Sequence, residues 1–310
     1  LAEWLPARVN AGISVNSSAR VINRCFIVGA SRSGTTLLQR LIAAHPDVHT
    51  FPETGVFLKA MGMRYVMPWA WLDWTSGREI GSLRRLLRHE AVPLELPPAR
   101  PRHLRQASAI IIKTLDSLAG QAGASTWLEK TPRHFVHAAA ISKWVPRATI
   151  MHIVRDGRDV VASIVDRARR YPDRFPRQDN AVYAVRYWNR AIRAQRACLH
   201  LPGHVFSHYE DLLITPAQET ARLGRMMGLV YDASMLSAKA APNFVRSAEA
   251  WKAGTFAPIR RPAGKFWQMF DAPARRRITN SLDWETYSAL RQALANRQLD
   301  LTHNPQAALL

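Results

Sequence analysis

A chain of 310 residues with 47% hydrophobic and 9% aromatic side chains has the apolar content to bury a sizeable core, which excludes wholesale disorder. It contains no run of about 18 apolar residues and no signal-peptide pattern at its start, so no membrane span is expected. Lys plus Arg outnumber Asp plus Glu by 43 to 23, a net +20 that attracts polyanions, yet no zinc-finger spacing or RNP aromatic motif accompanies it, so no nucleic-acid partner is expected.

Residues 1–23 lack strong periodicity and read as an N-terminal arm, and the start at Leu1 rather than Met is compatible with a trimmed upstream segment. Cys25 to Val28 suit a buried strand, and from Thr35 the apolar residues Leu37, Leu38, Leu41 and Ile42 recur at helical spacing. Between them, Gly29 to Gly34 form a loop whose glycines let the backbone turn sharply and approach a ligand. The first turn of the following helix points free N–H groups and its dipole at the same place, the geometry of an anion cradle. Arg32, Ser33, Thr35 and Thr36 add a guanidinium fork and hydroxyl donors there. The loop is not a Walker A sequence, because Gly34 is followed by Thr35 where that motif requires lysine; an ATPase or kinase is disfavoured. Taken alone, the loop is also compatible with a purely structural strand-to-helix turn.

Residues 45–57 (HPDVHTFPETGVF) read as a loop with prolines, and 55–105 as a helical and Trp-rich insertion, including Trp69, Trp71 and Trp74, covering the site. The arginine-dense zone from Arg84 to Arg105 reads as a solvated surface interrupted by prolines. Residues 106–120 predict an apolar-faced helix, 126–129 a short strand, and Pro132 the start of a helix. Ala148 to Val154 is the strongest strand of the middle region and runs into RDGRDVVASI, which begins another helix. There Arg155 leaves the strand, and Ser163 and Arg167 share a helical face that could grip a second phosphate. A capped helix with i, i+4 links from Asp159 and Asp166 explains the same residues equally well. A helix from about 180 to 200, a strand at 204–209, a helix at 216–227 and a C-terminal helical region complete the pattern. Strands alternating with helices predict an α/β, P-loop-like three-layer domain with a central, mainly parallel sheet, and ligands at the carboxyl ends of its strands. One domain over 1–310 is expected, with its core at 24–230 and a helical region with a closing loop at 231–310.

Cys25 and Cys198 support neither a disulfide framework nor a Cys-based zinc site, and a reducing cytoplasm fits them best. His45 reads as a helix terminator, His152 as a core histidine and His134 as a weak candidate facing an acceptor; their spacing suggests no metal site.

RSGTTLL after one strand and RDGRDVVAS after a second together resemble the cofactor motifs of sulfotransferases that use 3′-phosphoadenosine 5′-phosphosulfate (PAPS) and release 3′,5′-ADP. HPDV, the ET of PETGVF, EKTPRHF and WVPRATIMHIVRDGR resemble more closely the tyrosylprotein sulfotransferases and their bacterial relatives, over about residues 24–230, and the Arg- and Ala-rich composition has a bacterial look. The resemblance gives Arg32, Ser33, Gly34, Thr35 and Thr36 to the phosphosulfate, and Arg155 and Ser163 to the 3′-phosphate. It makes Glu53 the general base and Lys130 the assisting lysine, with Arg167 and Tyr209 as further cofactor contacts. At the C-terminal side, Lys265 and the Arg260/Arg261 pair in APIRRPAGKFWQMF resemble the family's closing loop. Cytosolic sulfotransferases usually carry a lysine in the first loop and a histidine base; here Arg32 stands in the first place, and Lys113 reads as an ordinary helix residue.

These roles suit the chemistry. Sulfonyl transfer asks the protein mainly to hold donor and acceptor in line and to neutralise charge on the leaving oxygens, without a metal. A carboxylate is the right type to take a hydroxyl proton. The expected acceptor is a hydroxyl, on tyrosine of an acidic peptide, a glycan, a lipid or a natural product. A P-loop kinase and a non-catalytic polyanion-binding protein are the rival readings.

Overall fold

The computed structural model describes residues 22–62, 75, 77–97, 100–237 and 264–303. The Trp69, Trp71 and Trp74 cluster, the Arg260/Arg261 pair and nearly all of the N-terminal arm lie outside the described residues. Among these residues, β1 (Asn23–Gly29), α1 (Thr35–Ala43), β2 (Val48–Thr50), α2 (Val56–Met61), α3 (Glu79–His89), α4 (Leu104–Gln121) and β3 (Thr126–Lys130) form the first half. A 3₁₀ segment (Pro132–His137), α5 (Ala138–Trp144), β4 (Ala148–Val154), α6 (Gly157–Arg170), α7 (Ala181–Arg196) and β5 (His204–His208) follow. The chain then runs through α8 (Tyr209–Ile214), α9 (Pro216–Met226), a second 3₁₀ segment (Ala233–Leu236), α10 (Lys265–Met269), α11 (Ala272–Ser281) and α12 (Trp284–His303). None of the described helices is long and apolar enough to cross a membrane.

The five strands make one all-parallel sheet in the order β2-β3-β1-β4-β5. Alternation along the strands divides the core. On β1, Phe26 and Val28 face a cluster shared with α2 to α7, while Cys25 and Ile27 face a second cluster shared with α1, α8 and α9. On β4, Ile150 and Val154 take the first side and Met151 and Ile153 the second. Burial on both faces is what a parallel sheet requires. The helix after β1 covers one face and the helix after β4 covers the other, so the connections leaving the carboxyl ends of these adjacent strands diverge. That divergence opens the crevice in which such sheets bind ligands.

Two sequence expectations need correction here. Residues 45–57 are not all loop, because Val48–Thr50 adds an edge strand paired with Thr126–Leu128. Three residues flanked by prolines are too few to display alternation. Pro132 opens a 3₁₀ segment rather than an α-helix, and α5 begins only at Ala138. Lys113 lies on α4, and Arg84, Arg85 and Arg88 are exposed on α3.

Candidate functional site

The loop after β1 is shaped by close approach. Gly29 has φ 152°, and a Cβ there would lie 2.5 Å from the carbonyl oxygen of Ile153 on β4. Gly34 is the N-cap of α1 with φ 95°, and a Cβ there would collide with the ring of Tyr209. Among the described residues no side chain caps α1, which leaves its first-turn N–H groups available to a ligand. Arg32 also has positive φ, 75°, an uncommon conformation for a residue with a Cβ.

Several side chains hold that conformation. Arg32 Nε donates to Ser163 Oγ on α6 at 3.0 Å, and Arg155 Nη1 donates to the Arg32 carbonyl at 3.1 Å. The Arg155 guanidinium stacks 4.2 Å above the Tyr209 ring and pairs with Asp159 at 3.1 Å. Trp188 on α7 donates from its indole to the Arg155 carbonyl at 3.0 Å. The Tyr187 hydroxyl accepts from Ser31 N at 3.0 Å and bonds Ser31 Oγ at the same distance. Ser33 is buried beneath the loop, its N–H donating to Ala30 O at 3.1 Å.

A cavity of about 310 Å³ opens beside this loop. Ser31, Arg32, Thr35, Thr36, Glu53, Lys130 and Arg167 line it, together with Arg133, Arg174, Tyr183 and Tyr187. Lys130 Nζ donates to Glu53 Oε2 at 3.1 Å, with the lysine side chain only 1% exposed and the glutamate 36% exposed. The pair therefore presents its carboxylate toward the opening and its ammonium toward the interior. Arg167 packs 3.9 Å above Phe175 and bonds Gln178. Its pKa is lowered to about 10 by burial and then by the charge of Arg32, and burial with the charge of Arg155 lowers that of Arg32. Crowded cations of this kind favour an anion between them.

The structure thus brings Glu53, Lys130, Arg32, Thr35, Thr36 and Arg167 onto one cavity. Gly34, Arg155, Ser163 and Tyr209 form the supporting layer around the loop, and Arg155 and Asp159, like Asp166 and Arg170, are also linked at i, i+4. Lys265 pairs with Asp166 on α6 and does not line the cavity. None of the described residues of 55–105 lines it either. His134 does not face the cavity: it is fully buried between Phe26 and Phe57, beside Glu129, because its 3₁₀ segment turns it toward the core. His152 is a core residue bonded to His204 at 2.8 Å; Cys198 joins them in a grouping that nothing in the sequence spacing signals and that does not touch the cavity.

Sequence reading missed Tyr183, Tyr187, Arg133 and Arg174. The one local signal was the i, i+4 spacing of Tyr183 and Tyr187 on α7, which stack with centroids 6.2 Å apart.

The model of the Sulfotransferase family matches residues 25–233, more than half of the chain and both loops of the site. The chain belongs to the sulfotransferase family. It is 29% identical over 215 residues to Protein-tyrosine sulfotransferase 1 of Danio rerio, covering 68% of this chain and 54% of that protein. To Protein-tyrosine sulfotransferase 2 of Gallus gallus it is 26% identical over 217 residues, covering 68% and 52%. The chain therefore spans about half the length of these relatives. The fold is also similar to that of mouse sulfotransferase SULT7A1 complexed with PAP, with TM-score 0.51, 14% identity and 88% of each chain covered.

Proposed function

We propose that this chain transfers a sulfonyl group from PAPS to an acceptor hydroxyl, with Glu53 as general base and Lys130 and Arg32 neutralising the leaving oxygen. The observation that carries this reading is the Glu53–Lys130 ion pair on the same cavity as the loop of Arg32, Thr35 and Thr36. The residues fit a nucleotide that carries two separate anionic groups. Arg155 Nε and Arg167 Nε are buried donors with no hydrogen-bond partner among the described residues, and Gly34 leaves the α1 N-terminus open to an anion.

Bound PAPS would supply an activated sulfonyl group, whose sulfur gains a bond to the acceptor oxygen as its bond to the bridging phosphate oxygen breaks. Ser33, Gly34, Thr35, Thr36 and Arg32 would hold its phosphosulfate, Arg155 and Ser163 its 3′-phosphate, and Arg167 and Tyr209 would add contacts. Glu53, on the open side of its pair, accepts the acceptor's proton. Lys130, almost fully buried, donates to the oxygen that leaves with the electron pair, where low dielectric strengthens the contact. Arg133 and Arg174 at the cavity, together with the tyrosylprotein relatives, favour tyrosine in an acidic peptide as acceptor.

The test is release of 3′,5′-ADP from PAPS with a panel of an acidic tyrosine peptide, an uncharged phenol and a glycan, in the presence of EDTA. Turnover is expected with the peptide first. Glu53→Ala is expected to lower kcat by roughly 10²–10⁴-fold while leaving 3′,5′-ADP affinity nearly unchanged. Full turnover by Glu53→Ala would reject the base, and no release with any acceptor would reject the reaction.

A further inference from the structure

The ladder between β2 and β3 ends just before the site. Its last backbone bond runs from Phe51 N to Leu128 O at 3.4 Å, yet Glu53 and Lys130 lie beyond it and must meet at 3.1 Å. The gap is bridged by Glu129, whose carboxylate is fully buried. Its Oε1 accepts from Thr54 Oγ1 at 2.7 Å, Thr54 N at 3.3 Å and Thr131 Oγ1 at 2.6 Å. Thr54 and Thr131 are the residues that directly follow Glu53 and Lys130. Both hydroxyls are used twice, since Thr131 Oγ1 accepts from Gly55 N at 3.0 Å and Thr54 Oγ1 from Val56 N at 3.3 Å. The other oxygen, Oε2, faces His134 Nδ1 at 3.0 Å.

We propose that Glu129 is a positioning residue that fixes Glu53 against Lys130 by clamping Thr54 and Thr131 on one carboxylate oxygen. The inference rests on the transferase reading for its kinetic consequence, while the clamp itself is structural. A buried charge is an expensive way to fill a core, and an apolar pair of similar volume would usually serve stability as well or better. Here burial opposes ionisation, but the imidazole of His134 facing Oε2 and the two threonine hydroxyls hold the carboxyl below its ordinary value. An acceptor-only group is what two hydroxyl donors from different segments require. It sets both segments by short bonds in a place where the sheet no longer does.

Thr54→Val and Thr131→Val keep side-chain shape and remove one clamp bond each; Thr→Ser at each position restores it, and Glu129→Gln keeps shape without charge. Each variant is read by kcat per 3′,5′-ADP-binding site and by a crystal structure of the Glu53–Lys130 pair. The valine variants are expected to bind 3′,5′-ADP within about threefold of wild type but to lose about ten- to a hundredfold in kcat, with the ion pair opened. The serine variants should return to within about threefold, and Glu129→Gln should fall between, as neutral hydrogen bonds are weaker than charged ones. Unchanged kcat per binding site and an intact pair in both valine variants, or in Glu129→Gln should a valine variant not fold, would overturn the clamp. An inactive wild-type protein would instead defeat the transferase reading, and the pair geometry in the variants would still judge the clamp.

Discussion

Gly34 meets two demands that no other residue satisfies. Its φ of 95° is strained for any residue with a Cβ, and that Cβ would occupy the space of the Tyr209 ring. Gly34→Ala must therefore both distort the turn and push Tyr209 from beneath the Arg155 guanidinium. The expected outcome is a loss of about 2 kcal/mol or more in denaturant unfolding, together with a marked loss of 3′,5′-ADP affinity by calorimetry. Glycine at this place was legible in the sequence, because a strand-to-helix turn around an anion calls for it. The positive φ of Arg32 was not, since local sequence carries no sign that Ser163 and Arg155, more than a hundred residues away, hold it. Catalytic roles for Glu53 and Lys130 were expected only through family resemblance, their direct pairing was not expected at all, and Glu129 escaped notice because a buried carboxylate looks in sequence like any strand-end glutamate.

At the scale of elements, the strong strands β1 and β4 and the helices after them were readable from periodicity, whereas the path of α7 over the first loop was not. That path matters. Tyr187 on α7 places its hydroxyl within 3.0 Å of both Ser31 N and Ser31 Oγ, so the helix braces the loop from outside. Tyr187→Phe keeps the ring against Phe135 and removes only the brace. It is expected to cost about 1 kcal/mol in stability and to weaken 3′,5′-ADP binding severalfold, with little further change in kcat at saturation. A kcat loss as large as that of the Thr54 and Thr131 variants would mean that Tyr187 belongs to the reacting centre instead. The edge strand β2 and the 3₁₀ segment after β3 escaped sequence reading for one reason: both are too short for a period to repeat, and tertiary pairing alone fixes them.

Across the whole molecule, the net charge is strongly positive, but four buried histidines are held neutral. Burial lowers His137 and His204 to about 4, and His208 to about 3, the last also facing Arg291 and Arg222. His152, stacked on Phe206 beside His204, is lowered well below its ordinary value. In the unfolded chain these groups titrate near 6.5. The unfolded state therefore binds more protons as pH falls below that point, and stability present above 6.5 is lost progressively toward the folded values. Burial raises Glu79, Glu210 and Asp211, which act in the opposite sense. Their effect starts at unfolded values of 4.5 and 3.8 and extends upward, so it offsets part of the slope set by the four histidines below 6.5. Thermal unfolding should then show Tm constant above pH 7 and falling by roughly 5 °C or more by pH 5. His208→Gln, which removes one titrating group from beside Tyr287, should flatten that slope; an equal slope in the variant would move the acid sensitivity to other groups.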